Sequence, residues 1–227
     1  MIERLIWDSE FFGFSVGKIY IETPETLNEE AFVIAASAYK LVYVFAKEPL
    51  SYSRFALAAD VKLTFQKTLK SEIPEAQLQF FDSDRHDYAA LQKLTFQSGE
   101  YSRFKTDPGF DSTDFYRMYE IWIKKSHDSE QSLVLVEEVD NKLAGFVSLD
   151  FNDSETATIG LIAVDEAFRG KGVGKKLMAQ AECAAFKSKK KYIRVATQQQ
   201  NSLATSFYVK QGYTVADQII IYHYWNL

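Results

Sequence analysis

Cysteine is nearly absent: the 227-residue chain contains one, Cys183. It cannot close an intramolecular disulfide, so nothing points to an oxidising compartment, and it reads as a small filler within a helix. Long apolar runs are missing as well. No 18-residue stretch could cross a bilayer, and Met1–Glu10 lacks the basic region and cleavage site of a secretion signal; the expectation is a soluble, cytoplasmic protein. An excess of positive charge is also lacking. The formal net charge is −5, which disfavours a nucleic-acid partner. The three histidines and the single cysteine offer no metal-ligand spacing, so no metal is expected. No repeat or low-complexity tract occurs.

Aromatic residues are plentiful, with 18 Phe, 13 Tyr and 3 Trp, and they argue for a packed core and against disorder. The length allows one large domain or two small ones. Polar composition and Pro74 in Ser71–Ala76 mark a boundary, dividing residues 1–75, an α/β part, from 76–227. In the first part Leu5–Trp7 is a short apolar piece. Ser15–Ile21, Leu41–Ala46 and Val61–Leu69 read as strands, and Asn28–Tyr39 and Ser51–Ala59 as helices. The second part begins with a strand at Gln77–Phe81 and a helix at Asp84–Phe96, for which Asp82, Ser83 or Asp84 can cap. A charged, aromatic loop over residues 100–110 precedes a helix at Ser112–Lys125 with Phe115, Met118, Tyr119 and Trp122 on one face. Ser132–Val139 and Lys142–Phe151 form a hairpin around Asp140-Asn141, followed by a strand at Ala157–Val164. Beyond a further helix come a strand at Tyr192–Thr197, a helix at Asn201–Gln211 and a long strand at Tyr213–Trp225. That last strand is bulky on both sides, so both must be covered, by helices or by a partner subunit in a homodimer.

The most informative segment is 159–176, IGLIAVDEAFRGKGVGKK. An apolar strand ends in an acidic turn, then comes Arg169-Gly170-Lys171-Gly172-Val173-Gly174, then helical periodicity at Val173, Leu177, Ala181, Ala184 and Ala185. A glycine loop at a helix N-terminus collects unpaired N–H groups and the positive end of the helix dipole, an arrangement suited to phosphates. Gly172 and Gly174 each cost about 1 kcal/mol relative to alanine in a helix. Close approach of a diphosphate to the backbone gives them a purpose. Arg169, Lys171, Lys175 and Lys176 make a basic island on an acidic chain, which fits one anionic ligand. The spacing matches neither GxxxxGK[ST] nor GxGxxG.

A second constellation, Asn201, Ala204, Tyr208, Gly212 and Tyr213, lies on and just after the helix at Asn201–Gln211. At about 100° per residue Asn201 and Tyr208 share one face, while Leu203 and Phe207 occupy another. Gly212 suits the helix C-terminus.

Arg169, Gly172 and Gly174 in their strand–loop–helix setting resemble motif A of the GNAT N-acetyltransferase superfamily, and Asn201 and Tyr208 resemble its motif B. Glu166 stands where that family often has proline. The resemblance implies an α+β fold, a mixed and mostly antiparallel sheet flanked by helices, here preceded by a smaller N-terminal α/β half. It implies acetyl-CoA as cosubstrate, with loop amides from Arg169 to Lys175 on the diphosphate and Asn201 on the cofactor. Ile162 and Ala163 would pair with the pantetheine arm, the Val164 N–H would polarise the thioester carbonyl, and Tyr208 would protonate the departing thiolate. Leu5–Asp8, Phe11–Gly13, Ser102–Phe104, Phe115-Tyr116, Trp122-Ile123 and Arg194–Thr197 extend the likeness to acetyltransferases of the 4-amino group of TDP-4-amino-4,6-dideoxygalactose. In that reading Ser102, Arg103, Phe104 and Asp107 meet a nucleotide-linked amino sugar, Arg103 through phosphate and the aromatics through thymine. No clear general base stands out: Glu100, Asp107, Asp150 and Glu155 are carboxylates within reach of a cleft. A GNAT acting on peptides or other small amines, a non-catalytic CoA-binding module and an ATP-binding loop are the alternatives, the last opposed by the missing GK[ST].

Overall fold

A computed structural model describes residues 1–51, 55, 58–70 and 75–226. The helix expected at Ser51–Ala59 and the boundary expected at Ser71–Ala76 fall largely outside those residues. The strands are β1 (Glu3–Arg4), β2 (Val16–Ile21), β3 (Leu41–Ala46), β4 (Asp60–Thr68), β5 (Ser132–Val139), β6 (Lys142–Asp150), β7 (Thr156–Val164), β8 (Tyr192–Gln198) and β9 (Thr214–Trp225). They build one sheet in the order β1-β2-β3-β9-β4-β8-β7-β6-β5. Among the described residues only β2–β3 and β7–β8 are parallel. This is the mixed, mostly antiparallel α+β sheet flanked by helices that the motifs imply. The parts before and after residue 75 share it, because β9 enters between β3 and β4 while β4 pairs with both β8 and β9.

The helices are α1 (Ile6–Phe12), α2 (Glu29–Ala36), α3 (Tyr88–Ser98), α4 (Arg103–Thr106), α5 (Ser112–Asp128), α6 (Val173–Lys187) and α7 (Ser202–Lys210). Alternation along β5 and β6 decides which helices cover which face. Val134, Val136 and Phe146 meet Leu91 and Leu94 of α3 and Ile123 of α5. Leu135, Val147 and Leu149 face the other way, against Leu177, Met178, Ala181 and Ala185 of α6. Burying a leucine such as Leu177 contributes about 1.5–3 kcal/mol, so the expected stripe on α6 pins its N-terminus over the end of β7. From Ile220 onward β9 is packed within this chain, while Thr214–Gln218 is exposed. Ile220, Tyr222 and Tyr224 pack with Phe32 and Ala36 of α2, and Trp225 packs with Phe14 and Phe110 on the opposite face.

Several expectations are corrected. Leu5–Trp7, to which the sequence assigns neither helix nor strand, leads into α1, which stops at Gly13 in the left-handed region (φ 75°). The strand expected at Gln77–Phe81 reduces to a single bridge, Phe80 to Leu135. Helix α3 starts at Tyr88 with Asp87 as cap, not at Asp82–Asp84. Asp82 is committed elsewhere: its N–H donates to His86 Nδ1 and its Oδ1 accepts from Asp84 N–H, closing a turn ahead of the helix. Residues 100–110 are not all loop, since α4 forms one helical turn capped by Ser102. The hairpin turn at Asp140-Asn141 is as read, both residues having positive φ (53° and 59°).

Candidate active site

The parallel pairing of β7 with β8 runs only from Thr156–Tyr192 to Ile159–Val195. Past that rung the two strands keep their outer neighbours. β7 stays on β6 as far as Val164, opposite Gly145, and β8 stays on β4 as far as Gln198, opposite Lys62. A V-shaped slot therefore opens between Gly160–Val164 and Ala196–Gln198. Leu161 N–H donates to Ser148 Oγ (2.8 Å) and Asp165 N–H to Ala144 O (2.9 Å), both toward β6. Because N–H directions alternate along a strand, those of Ile162 and Val164 point into the slot. Ala163, 9% exposed, turns its N–H back to β6.

The glycine loop stands at the end of this slot. Asp165 closes β7, its Oδ1 accepting from Ala167 N–H (3.0 Å), and a 3-10 turn covers Glu166–Phe168. Gly170 and Gly172 have φ of 77° and 83°, and a Cβ on either would meet nothing within 4 Å. Backbone conformation, not packing, is what demands glycine there. The first hydrogen bond of α6 is Lys176 N–H to Gly172 O (3.1 Å). Among the described residues the N–H groups of Gly172, Val173, Gly174 and Lys175 meet no backbone acceptor. Arg169, Gly170, Lys171, Gly172 and Lys175 are exposed, and Val173 is buried. Arg169 Nε donates to Val164 O (3.2 Å), Lys171 stacks over Phe168 (5.2 Å), and Lys176 reaches Glu137 (3.4 Å). Open N–H groups, a helix dipole and surface lysines together fit a diphosphate, and the slot fits an extended arm continuing from it.

Helix α7 lies beside the loop. Asn201 is its cap, Oδ1 accepting from Ala204 N–H (3.1 Å), which leaves the carboxamide nitrogen for a ligand. Tyr208 is 3% exposed, packed with Phe65, Phe207 and Tyr213. Burial alone pushes its phenol above the ordinary value of 10.0, further from ionisation at neutral pH.

The four residues singled out between 102 and 107 lie together around α4, but in different settings. Ser102 is a buried cap, accepting from Phe104 N–H (3.3 Å). Phe104 points into the core among Phe12, Phe110 and Trp122, so stacking on a base would require it to leave that packing. The Arg103 guanidinium lies over the Tyr43 ring (5.1 Å). Burial lowers its pKa, offset by Tyr43, Asp60 and Asp8 nearby. Asp107 holds His223 Nδ1, Trp225 Nε1 (3.0 Å) and Gly109 N–H (2.8 Å). Burial would raise the Asp107 carboxyl, but these hydrogen bonds prevail and hold it low. Of the other carboxylates, Glu155 precedes β7 at the end away from the glycine loop, paired with Lys191. Glu100 pairs with Lys105 (2.6 Å), and Asp150 accepts from Ser132 Oγ (2.6 Å). Tyr43, Asp60 and His223 join Arg103 although they sit far apart in the chain, and no local spacing announces them. Asp60 also lines a cleft of about 270 Å³ with Ala58, Ala59, Val61, Gln199 and Gln200, at the end of β8 where the slot opens.

The model of the acetyltransferase (GNAT) family matches residues 95–213. The chain is 27% identical over 226 residues to the dTDP-fucosamine acetyltransferase of Escherichia coli O6:H1, covering 94% of this chain and 93% of that protein. A functionally unknown conserved protein from Staphylococcus epidermidis shares the fold with a TM-score of 0.67 at 15% identity, over 99% of this chain and 92% of that one. The PaiA N-acetyltransferase of Thermoplasma acidophilum, in complex with coenzyme A, superimposes with a TM-score of 0.51 at 20% identity, over 67% of this chain and all of its own. With the family model spanning just over half of its length, this chain belongs to the GNAT acetyltransferase family.

Proposed function

We propose that this acetyl-CoA-dependent N-acetyltransferase acts on the 4-amino group of a TDP-linked 4-amino-4,6-dideoxy sugar, by direct transfer within a ternary complex. The observation that carries the transfer chemistry is the loss of β7–β8 pairing after Ile159–Val195, with the open amides of the glycine loop at the mouth of the gap. The sugar reading is supported by likeness along nearly the whole chain to the E. coli enzyme, the part before the family match included.

Acetyl-CoA supplies the activated acyl group. The N–H groups of Gly172 to Lys175 hold its diphosphate, and Lys171 and Lys175 add charge. Ile162 and Val164 direct N–H groups along the slot, the Val164 N–H meeting the thioester oxygen. A donor aimed at developing negative charge of this kind lowers a barrier by about 2.7–4 kcal/mol. Tyr208 Oη, protonated at neutral pH as any phenol is, gives its proton to the departing sulfur. Asn201 Nδ2 contacts the cosubstrate while Oδ1 caps α7.

The test is incubation with acetyl-CoA and a panel of TDP-4-amino sugars, peptides and simple amines, reading thiol release. Turnover of a TDP-4-amino sugar with the highest kcat/KM is the expected result. Turnover of peptides or unrelated amines alone overturns the sugar assignment, and binding of acetyl-CoA with no turnover of any amine overturns the catalytic one.

A further inference from the structure

Where β3, β4 and β9 meet α4, four atoms sealed from solvent have no partner within 3.5 Å: Tyr43 Oη, Asp60 Oδ1, Arg103 Nε and His223 Nε2, with Asp8 beside the Tyr43 hydroxyl and Gln198 beside the Asp60 carboxylate. The strand register explains their meeting. Tyr43 lies directly opposite His223, and Asp60 lies opposite Ile221, two residues earlier on β9, so all three side chains emerge on one face. Arg103 descends onto that face from α4, over the Tyr43 ring. Buried polar atoms in folded proteins are nearly always paired, and each orphan weakens the free protein. The remaining such atoms among the described residues are on Gln79, His86, Gln97 and Tyr213. Four within one small volume point to a ligand.

Their chemistry says which kind. Asp107 takes the hydrogen on His223 Nδ1, and burial disfavours a second proton on the ring, so Nε2 offers a lone pair. The cluster thus offers two acceptors, Asp60 Oδ1 and His223 Nε2, one N–H donor on Arg103, and one hydroxyl able to act either way. Asp60 and Asp8 lie near the single guanidinium, so a phosphate or carboxylate would enter an environment already rich in negative charge. Hydroxyl and amino hydrogens of a small polar ring match it instead. Asp60 also borders the cleft beside Gln199 and Gln200, at the same end of the sheet as the thioester slot.

We infer that Tyr43, Asp60, Arg103 and His223 form the acceptor subsite, binding the hydroxyl- and amine-bearing sugar ring while the diphosphate stays outside the cluster. This rests on acetyl transfer to an amino sugar as proposed above. It makes acceptor recognition a joint task of the part before residue 75 and the acyltransferase part.

The test uses Tyr43→Phe and Asp60→Asn in the full chain, with TDP-4-amino-4,6-dideoxygalactose and acetyl-CoA varied separately. Each variant is expected to raise the acceptor KM at least tenfold, with kcat within threefold and the acetyl-CoA KM unchanged. Tyr43→Phe deletes a buried hydroxyl beside Asp8 and keeps the packed ring, so its melting temperature should stay close to the parent's, which separates a binding role from a structural one. If the parent turns the sugar nucleotide over and both variants keep its KM, the subsite is overturned and the cluster holds ordered water alone. If the parent does not turn it over, the functional reading fails instead. Calorimetry with glucosamine at saturating coenzyme A then decides the subsite. Heat present in the parent and lost in Asp60→Asn supports it, and equal heats in both overturn it.

Discussion

The ring of Phe207 lies against Gly174: a Cβ on that glycine would stand 3.3 Å from Phe207 Cζ and 3.6 Å from Val164 Cγ2. The end of β7, the first turn of α6 and the middle of α7 therefore meet at one point, next to Tyr208. This couples the two sequence motifs physically, and it separates the roles of the loop glycines.

Gly172→Ala forces an L-residue into a left-handed conformation, costing about 1–2 kcal/mol, with no steric clash. It should lower the melting temperature and raise the acetyl-CoA KM by distorting the amide array. Gly174→Ala should gain helix propensity but press on Phe207, changing stability less and kcat more. Thermal melts and steady-state kinetics check both. Equal effects from the two substitutions would contradict the division of labour.

Tyr208→Phe should leave acetyl-CoA affinity intact by calorimetry and lower kcat about 100-fold, the lower end of what general-acid removal costs. The raised phenol pKa has a second consequence. Tyr208 and Tyr213 both ionise at higher pH folded than unfolded, chiefly because they are buried. Their contribution is complete below the unfolded value of 10.0 and is lost as pH rises above it, because only the unfolded chain releases the protons. Melting temperature should fall between pH 10 and 11.5, and less steeply in Tyr208→Phe.

Asn201 has two jobs that substitution can divide. Asn201→Ala loses the helix cap and should cost about 1 kcal/mol of stability. Asn201→Ser keeps a capping oxygen and loses the amide nitrogen. An acetyl-CoA KM raised in both variants, with stability lost only in the alanine, supports a cofactor contact. A normal KM in Asn201→Ser reduces Asn201 to a cap.

The Asp107–His223 pair predicts acid sensitivity. Burial, with Arg103 nearby, holds His223 below its ordinary 6.5 despite Asp107. As pH falls below 6.5 the unfolded chain takes up a proton that the folded chain refuses, so stability declines. Asp107, held below 3.8, adds a loss at still lower pH. Asp8 and Asp60, raised by burial, act with the opposite sign, so the comparison with His223→Asn isolates the histidine. Melting curves from pH 7 to 5 should be flatter in that variant.

Much of this was legible in the chain. β3 was read at its observed ends, and the hairpin at Asp140-Asn141, the α6 stripe and the glycine loop each follow from local rules of period and turn chemistry. Element starts set by side-chain competition were not. Asp87 caps α3 because Asp82 is already bonded to its own turn, a choice made by geometry across five residues. Phe104 looked available for stacking because nothing in its neighbours along the chain revealed that Phe12 and Trp122 would enclose it.

By itself the sequence determined the local units, the strand–loop–helix that presents open amides and the helix carrying Asn201 and Tyr208, because hydrogen-bond periodicity and backbone preference act over a few residues. Only the tertiary structure decided that β9 would run between β3 and β4, bringing Tyr43, Asp60 and His223 onto one face beneath Arg103. Strand order is fixed by long-range burial and register, which leave no short-range trace, and so that cluster could be seen only once the sheet was assembled.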